Sequence, residues 1–158
     1  DREKFCLQLL DEIENAEIKA KKLGVQLAIR LNGTSDIDWE NQLPAIFILF
    51  PKVRFYDYTK ILNRVLENPF KNYHLTYSIS EKDSVKLIRG VIGIKKNVAI
   101  VYGVGRTKKL PKKDPISGYK VIDGDKDDLR FLDPKGVIVG LRMKGKGRKD
   151  KSGFVKQV

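Results

Sequence analysis

Tyr73-His74-Leu75-Thr76-Tyr77-Ser78-Ile79-Ser80-Glu81 alternates without a break. Tyr73, Leu75, Tyr77 and Ile79 fall on one face of an extended chain, and His74, Thr76, Ser78 and Ser80 fall on the other. The stretch reads as a β-strand that runs into a polar cluster. Two earlier apolar runs end in the same way, at Ile29-Arg30-Leu31-Asn32-Gly33-Thr34-Ser35-Asp36 and at Phe55-Tyr56-Asp57-Tyr58-Thr59-Lys60. In α/β folds sites are built at the carboxyl ends of parallel strands. Three such ends are expected to share one rim.

Working outward, residues 2–23 carry Phe5, Leu9, Ile13, Ala16, Ala20 and Leu23 at helical spacing, and Gly24 suits a left-handed stop. Val25–Leu31 reads as a first strand. Asp38 is placed to cap a helix at Trp39, Pro44 disturbs its first turns, and Pro51 ends it. Val53–Thr59 is a second strand, Ile61–Leu66 a short helix, Tyr73–Ile79 the third strand and Ser84–Ile94 a helix capped by Ser80 or Asp83. Asn97–Tyr102 is a fourth strand. Gly103–Gly118 is an irregular Gly/Pro/Lys-rich loop, and Tyr119–Ile122 and Val137–Leu141 are short strands with a loop between them. The order predicts an α/β fold: a partial (β/α) barrel or an open, mostly parallel sheet with flanking helices and a β-loop-β C-terminal part. Residues 1–141 read as one domain and 142–158 as a basic C-terminal tail.

The chain has 158 residues, 41% hydrophobic and 33% charged, which is a globular composition. Its longest nearly apolar stretch, Leu43–Phe50, is far too short to span a bilayer. The lone Cys6 gives no disulfide framework or Cys-rich metal site and, with no secretory signal in view, suits a reducing cytoplasm. The chain begins at Asp1 rather than Met, which leaves room for a preceding segment.

Net charge is +12, from 32 Lys and Arg against 20 Asp and Glu. The excess is gathered in two places. Arg106, Lys108, Lys109, Lys112 and Lys113 crowd one segment, and Arg142, Lys144, Lys146, Arg148, Lys149, Lys151 and Lys156 crowd the C-terminus. Cations gathered in Gly-rich loops point to a nucleic-acid partner. Lys108, Lys109, Lys112, Lys113, Arg142, Lys144, Lys146, Arg148 and Lys149 are the expected contacts; the alternative is a solvated basic surface.

The strand ends supply the chemistry-bearing residues. Arg30 and Asn32 are expected on one side of the first strand, with Asp36 beyond them, as a floor for an anionic ligand. Asp57 lies in an aromatic strand, where a buried carboxylate needs a partner, and Arg30 or Lys60 is the expected one. The structural alternative is an ion pair that closes the sheet. His74, the only histidine, shares a polar row with Thr76 and Ser78. Asp57 and His74 are the candidate proton carriers; Arg30, Asn32, Asp36, Lys60 and Ser78 are the candidate ligand contacts. The acidic run Asp123-Gly124-Asp125-Lys126-Asp127-Asp128 lacks EF-hand spacing, so no metal ligand is assigned. No cofactor is named by these residues. Gly103-Val104-Gly105 lacks the third glycine of a dinucleotide loop.

The stretches 30–40, 55–60, 73–81, 121–141 and 149–155 together resemble the gene-product-88-like proteins of bacteriophages and other mobile elements. The resemblance implies a fold similar to radical-SAM-like partial barrels. It also implies a Cys-containing segment upstream of the first helix, which these residues do not include, so no cluster-dependent activity is expected of them. The resemblance and the charge together make a nucleic-acid-associated protein of phage or mobile-element type the leading expectation, acting on nucleic acid or a nucleotide at the strand-end rim; the alternatives are a non-catalytic nucleic-acid-binding module and a docking protein for a host protein.

Overall fold

The computed structural model describes residues 1–158, the side chain of Lys146 apart. Four strands alternate with helices and two more follow: α1 (Arg2–Lys22), β1 (Ala28–Ile29), α2 (Trp39–Gln42), α3 (Ala45–Leu49), β2 (Arg54–Thr59), α4 (Leu62–Glu67), β3 (Tyr73–Ser78), α5 (Val85–Gly93), β4 (Val98–Tyr102), β5 (Val121–Asp123) and β6 (Ile138–Arg142). All pairings are parallel and the order is β1-β2-β3-β4-β6-β5. The sheet stays open. Of the two architectures expected, it is the open one, and β5-loop-β6 forms its C-terminal part.

Three details differ from the sequence reading. β1 is two residues long, because it is an edge strand with β2 as its single neighbour. The helix expected after Asp38 is broken into α2 and α3 at Leu43-Pro44, where Leu43 is extended at φ −151°; proline disfavours a helical conformation in the residue before it. The α5 cap is Ser84, whose Oγ accepts from Leu87 N–H at 3.2 Å. Asp83 instead closes the end of β3, accepting from Tyr77 OH, Ser80 N–H and Ser80 OH.

The strand alternation decides the layers. Phe55, Tyr73, Leu75, Tyr77, Val98, Ile100 and Ile138 face one side and form a single buried cluster with Ile13, Trp39, Phe47, Val65 and Val91 from the five helices. Phe47 anchors this layer, stacked on Tyr73 at 4.5 Å and edge-on to Phe55 at 5.2 Å. The other face carries Tyr56 beside His74, Tyr58 beside Thr76, Ser78 beside Ala99, and Val139 between Ala99 and Ile122. Over this face lie loops rather than helices. The β5–β6 connection packs there through its 3-10 turn Arg130–Leu132.

The expected tail is folded onto the domain. Arg142 is the last residue of β6, so the 141/142 boundary falls inside a strand. Farther on, Lys156 N–H donates to the Val101 carbonyl and Gly103 N–H to the Lys156 carbonyl, both at 2.8 Å, and Val155 is buried.

Candidate functional site

On the helix side, the ends of β1 and β2 are tied together by Asp57. Its Oδ1 accepts from Asn32 N–H at 2.8 Å; its Oδ2 accepts from Tyr73 OH at 2.8 Å and from the Asn32 amide at 3.3 Å. Asn32 Oδ1 in turn accepts from Ser35 OH, Ile37 N–H and Trp39 Nε1–H. Both residues are buried. Burial pushes the Asp57 carboxyl up to about 6, against the pull of its hydrogen bonds from Asn32 and Tyr73. The partner expected for Asp57, Arg30 or Lys60, is thus replaced by an amide and a phenol, neutral donors that cost less to bury than a second charge.

A second knot adjoins it. Arg64, in α4, donates from Nε and Nη2 to the two oxygens of Glu40 at 2.7 and 2.9 Å, from Nη2 to Tyr73 OH at 3.1 Å, and from Nη1 to Asp36. Asp36 also accepts from Lys60 N–H at 2.8 Å. Asn32, Asp36 and Asp57 are therefore engaged in holding the first two strand ends closed. The third strand end, closed by Asp83, takes no part, so the expected single rim joins two clusters rather than three.

The opposite face is chemically different. Arg30 follows the β1 alternation onto this side, since Ile29 pairs with Phe55 on the helix face, and its Nε donates to the Asn32 carbonyl at 3.2 Å; the Asn32 side chain departs from the alternation because β1 ends at Ile29. Its guanidinium sits 5.1 Å over the Tyr58 ring and donates to Asp128 at 3.2 Å. His74, Thr76 and Ser78 follow along β3. Above them lies Arg130, 1% exposed, just past the acidic run Asp123–Asp128. Its Nη1 stands 3.3 Å from Asp133 Oδ2, and its Nη2 donates to the Asp127 carbonyl. Arg130 Nε, His74 Nε2 and Thr76 Oγ1 are buried without a protein hydrogen-bond partner among the described residues. Such atoms normally find a polar partner. Burial, with Lys96, Arg130 and Lys135 nearby, pushes the His74 imidazole down to about 4, so it is neutral at pH 7. Asp57 and His74 lie on opposite faces of the sheet, so they do not form an acid–base pair.

Of the remaining expected contacts, Lys108, Arg142, Lys144 and Arg148 lie toward the carboxyl ends of β4, β5 and β6, whereas Lys112 and Lys113 pair beside Val121 and Lys120 at the amino end of β5. Arg142 donates to both oxygens of Asp123 at 2.8 and 2.9 Å, to Asp125 at 3.1 Å and to the Lys108 carbonyl at 2.8 Å. That last bond joins the two Lys/Arg segments. Arg106, Lys126, Arg142, Lys144 and Arg148 with Asp123 and Asp125 line a cavity of about 730 Å³. Lys108, Lys109, Lys112, Lys113, Lys144, Arg148 and Lys149 are exposed. The Lys146 side chain lies outside the described residues. Lys60 reaches across to the folded-back tail, its Nζ 4.7 Å from the Phe154 ring.

The model of one protein family, gene product 88, matches residues 1–158. The chain belongs to the gene product 88 family. The motif stretches that suggested this family are the ones that build the Asp57 knot, the β3 polar row and the Arg130 loop. No curated protein and no solved structure matched the chain, so the likeness to radical-SAM partial barrels gains no support. Among the described residues no helix is long and apolar enough to cross a membrane.

Sequence reasoning missed Arg64, Glu40, Tyr73 and Arg130. Arg64 lies in a short helix and Glu40 beside a cap, where charges are ordinarily solvated. For Arg130 a signal existed: an arginine closing a run of four aspartates, followed by Phe131-Leu132.

Proposed function

We propose that this gene product 88 family member is a nucleic-acid-associated phage protein of the host cytoplasm, binding through the carboxyl edge of β4–β6–β5. The observation that carries this reading is the Arg142–Lys108 hydrogen bond. It joins two segments far apart in sequence, while Asp123 is occupied by Arg142 and Asp125 by Arg142 and Lys144, whose side chain stays largely exposed. Exposed lysines around that core are suited to phosphates, and counterion release supplies the affinity. Arg142 acts as the tie, with its Nε, Nη1 and Nη2 all donating inside the chain. Lys108, Lys109, Lys144 and Arg148 are the phosphate contacts.

A binding module fits better than an enzyme at the strand ends. Asp57 has its donors supplied from within the chain, and His74 lies on the far side of the sheet from it. Reversing Lys108, Lys109, Lys144 and Arg148 to Glu is expected to weaken binding of a mixed-sequence DNA or RNA oligonucleotide by at least ~100-fold. Asp57→Asn is expected to leave that binding unchanged. Binding that survives the charge reversal would contradict the proposal.

A further inference from the structure

A second groove lies at the opposite end of the sheet, along the amino ends of β2, β3 and β4, with a volume of about 760 Å³. That is the size of a small-ligand site. Its charge is one-sided. Arg54, Lys71, Lys95, Lys96 and Lys135 line it, with no Asp or Glu in the lining. None of these five cations has an ion-pair partner among the described residues. Like charges drawn around one concavity repel each other and attract an anion.

The wall that carries them is held in place. Asn97 donates to the Pro134 carbonyl at 2.9 Å and accepts from Val137 N–H at 3.2 Å, pinning the returning β5–β6 loop to the start of β4. Lys95 ends α5 in the left-handed region at φ +63°, a position glycine ordinarily fills. A Cβ on Gly136 (φ +71°) would approach the Ile92 carbonyl to 3.3 Å and the Lys95 side chain to 3.5 Å. Lys95, Lys96 and Lys135 are thus presented together on closely packed backbone rather than on free loops.

The groove also has an apolar side. Phe131 and Phe70 line it with Leu132, 66% exposed, and Ile94, 56% exposed. Cations beside aromatic and aliphatic surface match a ligand with both a phosphate and a planar base.

We propose that this amino-edge groove binds a nucleotide, its phosphate on Lys96 and Lys135 and its base against Phe131 and Leu132. The same chemistry occurs in a free nucleotide and in one unit of a single strand. This site is separate from the carboxyl-edge surface and does not depend on it.

His74 lines the inner wall and is the only histidine, so its ring signals report this site alone. The test is an NMR titration of the full chain, following the His74 ring with a nucleoside monophosphate, a short single-stranded oligonucleotide, and inorganic phosphate as separate probes. A saturable shift is expected with at least one nucleotide probe, at least tenfold tighter than with inorganic phosphate. Bound phosphate is also expected to raise the His74 pKa by opposing the surrounding cations. A shift with the monophosphate identifies a free nucleotide as sufficient, and a shift with the oligonucleotide alone identifies a strand. Lys96→Glu with Lys135→Glu, the first half-buried and the second exposed, is expected to abolish the shift. Lys144→Glu with Arg148→Glu at the other edge is expected to preserve it. The proposal is overturned by no saturable shift with either nucleotide probe, by inorganic phosphate binding as tightly as nucleotide, or by a shift that survives the Lys96/Lys135 reversal.

Discussion

Asp57 and His74 sit on opposite faces of adjacent strands, and folding moves their proton affinities in opposite directions. Asp57 rises to about 6. Its contribution to stability is therefore full at low pH and is lost as pH rises through about 6. His74 falls to about 4, so its contribution is full above its ordinary value of 6.5 and is lost as pH falls through about 4. Relative to the parent protein, His74→Gln is expected to gain stability and Asp57→Asn to lose it as pH drops from about 6 to about 4. Each change is at most about 3 kcal/mol, the linkage value of a shift of two units or slightly more. Chemical denaturation across that pH range measures both, and variants that track the parent in parallel would contradict the assignment. Tyr73→Phe removes the phenol that donates to Asp57 and accepts from Arg64. It is expected to cost about 1–3 kcal/mol and to raise the Asp57 pKa further. A carboxyl that titrates unchanged in that variant would show that the hydrogen bond is not what restrains it.

At the scale of elements, the sequence was legible where one strand faces two environments. The alternation of β3 and the aromatic run of β2 place both strands and assign their faces. β1 is less legible, because an edge strand of two residues carries too little alternation to fix its end. That is why Arg30 and Asn32, expected together, separate onto two faces. The partner of Asp57 was hidden for a related reason. Asn32 and Tyr73 come from a loop and from the start of another strand, and only packing brings them to it. The β5–β6 loop shows in sequence only as an acidic run, and the burial of Arg130 in it comes from packing over β2 and β3. Gly124 is the hinge of that packing: a Cβ there would stand 2.5 Å from Val139 Cγ1 and 3.0 Å from Arg130 Nη1. Gly124→Ala is expected to cost about 1–3 kcal/mol through overpacking and to make residues 124–136 more sensitive to proteolysis. Gly33→Ala, with nothing within 4 Å of the added carbon, serves as the control and is expected within about 0.5 kcal/mol of the parent. Equal effects at the two glycines would contradict the close packing at Gly124.

The whole molecule separates its charges by edge. The carboxyl edge gathers Arg106 and Lys108 from the loop after β4 and Lys144 and Arg148 from the C-terminal segment, with Arg142 as their tie. The amino edge gathers five cations from the starts of strands and the β5–β6 return. The sequence displayed the first group as two dense runs, so it was legible as a concentration of positive charge, although the hydrogen bond that joins the runs was not. The second group was invisible, because Arg54, Lys71, Lys95, Lys96 and Lys135 are scattered over four elements and no local run marks them. The most direct measurement of nucleic-acid association is the salt dependence of oligonucleotide binding by the intact chain. Log affinity is predicted to fall linearly with log salt, with a slope of roughly −3 or steeper for three or more phosphates contacted, between about 50 and about 200 mM. The slope is predicted to shrink by about one for each of Lys108, Lys109, Lys144 and Arg148 replaced by Ala. An affinity that is flat across that range, or a slope unmoved by those replacements, would contradict the account.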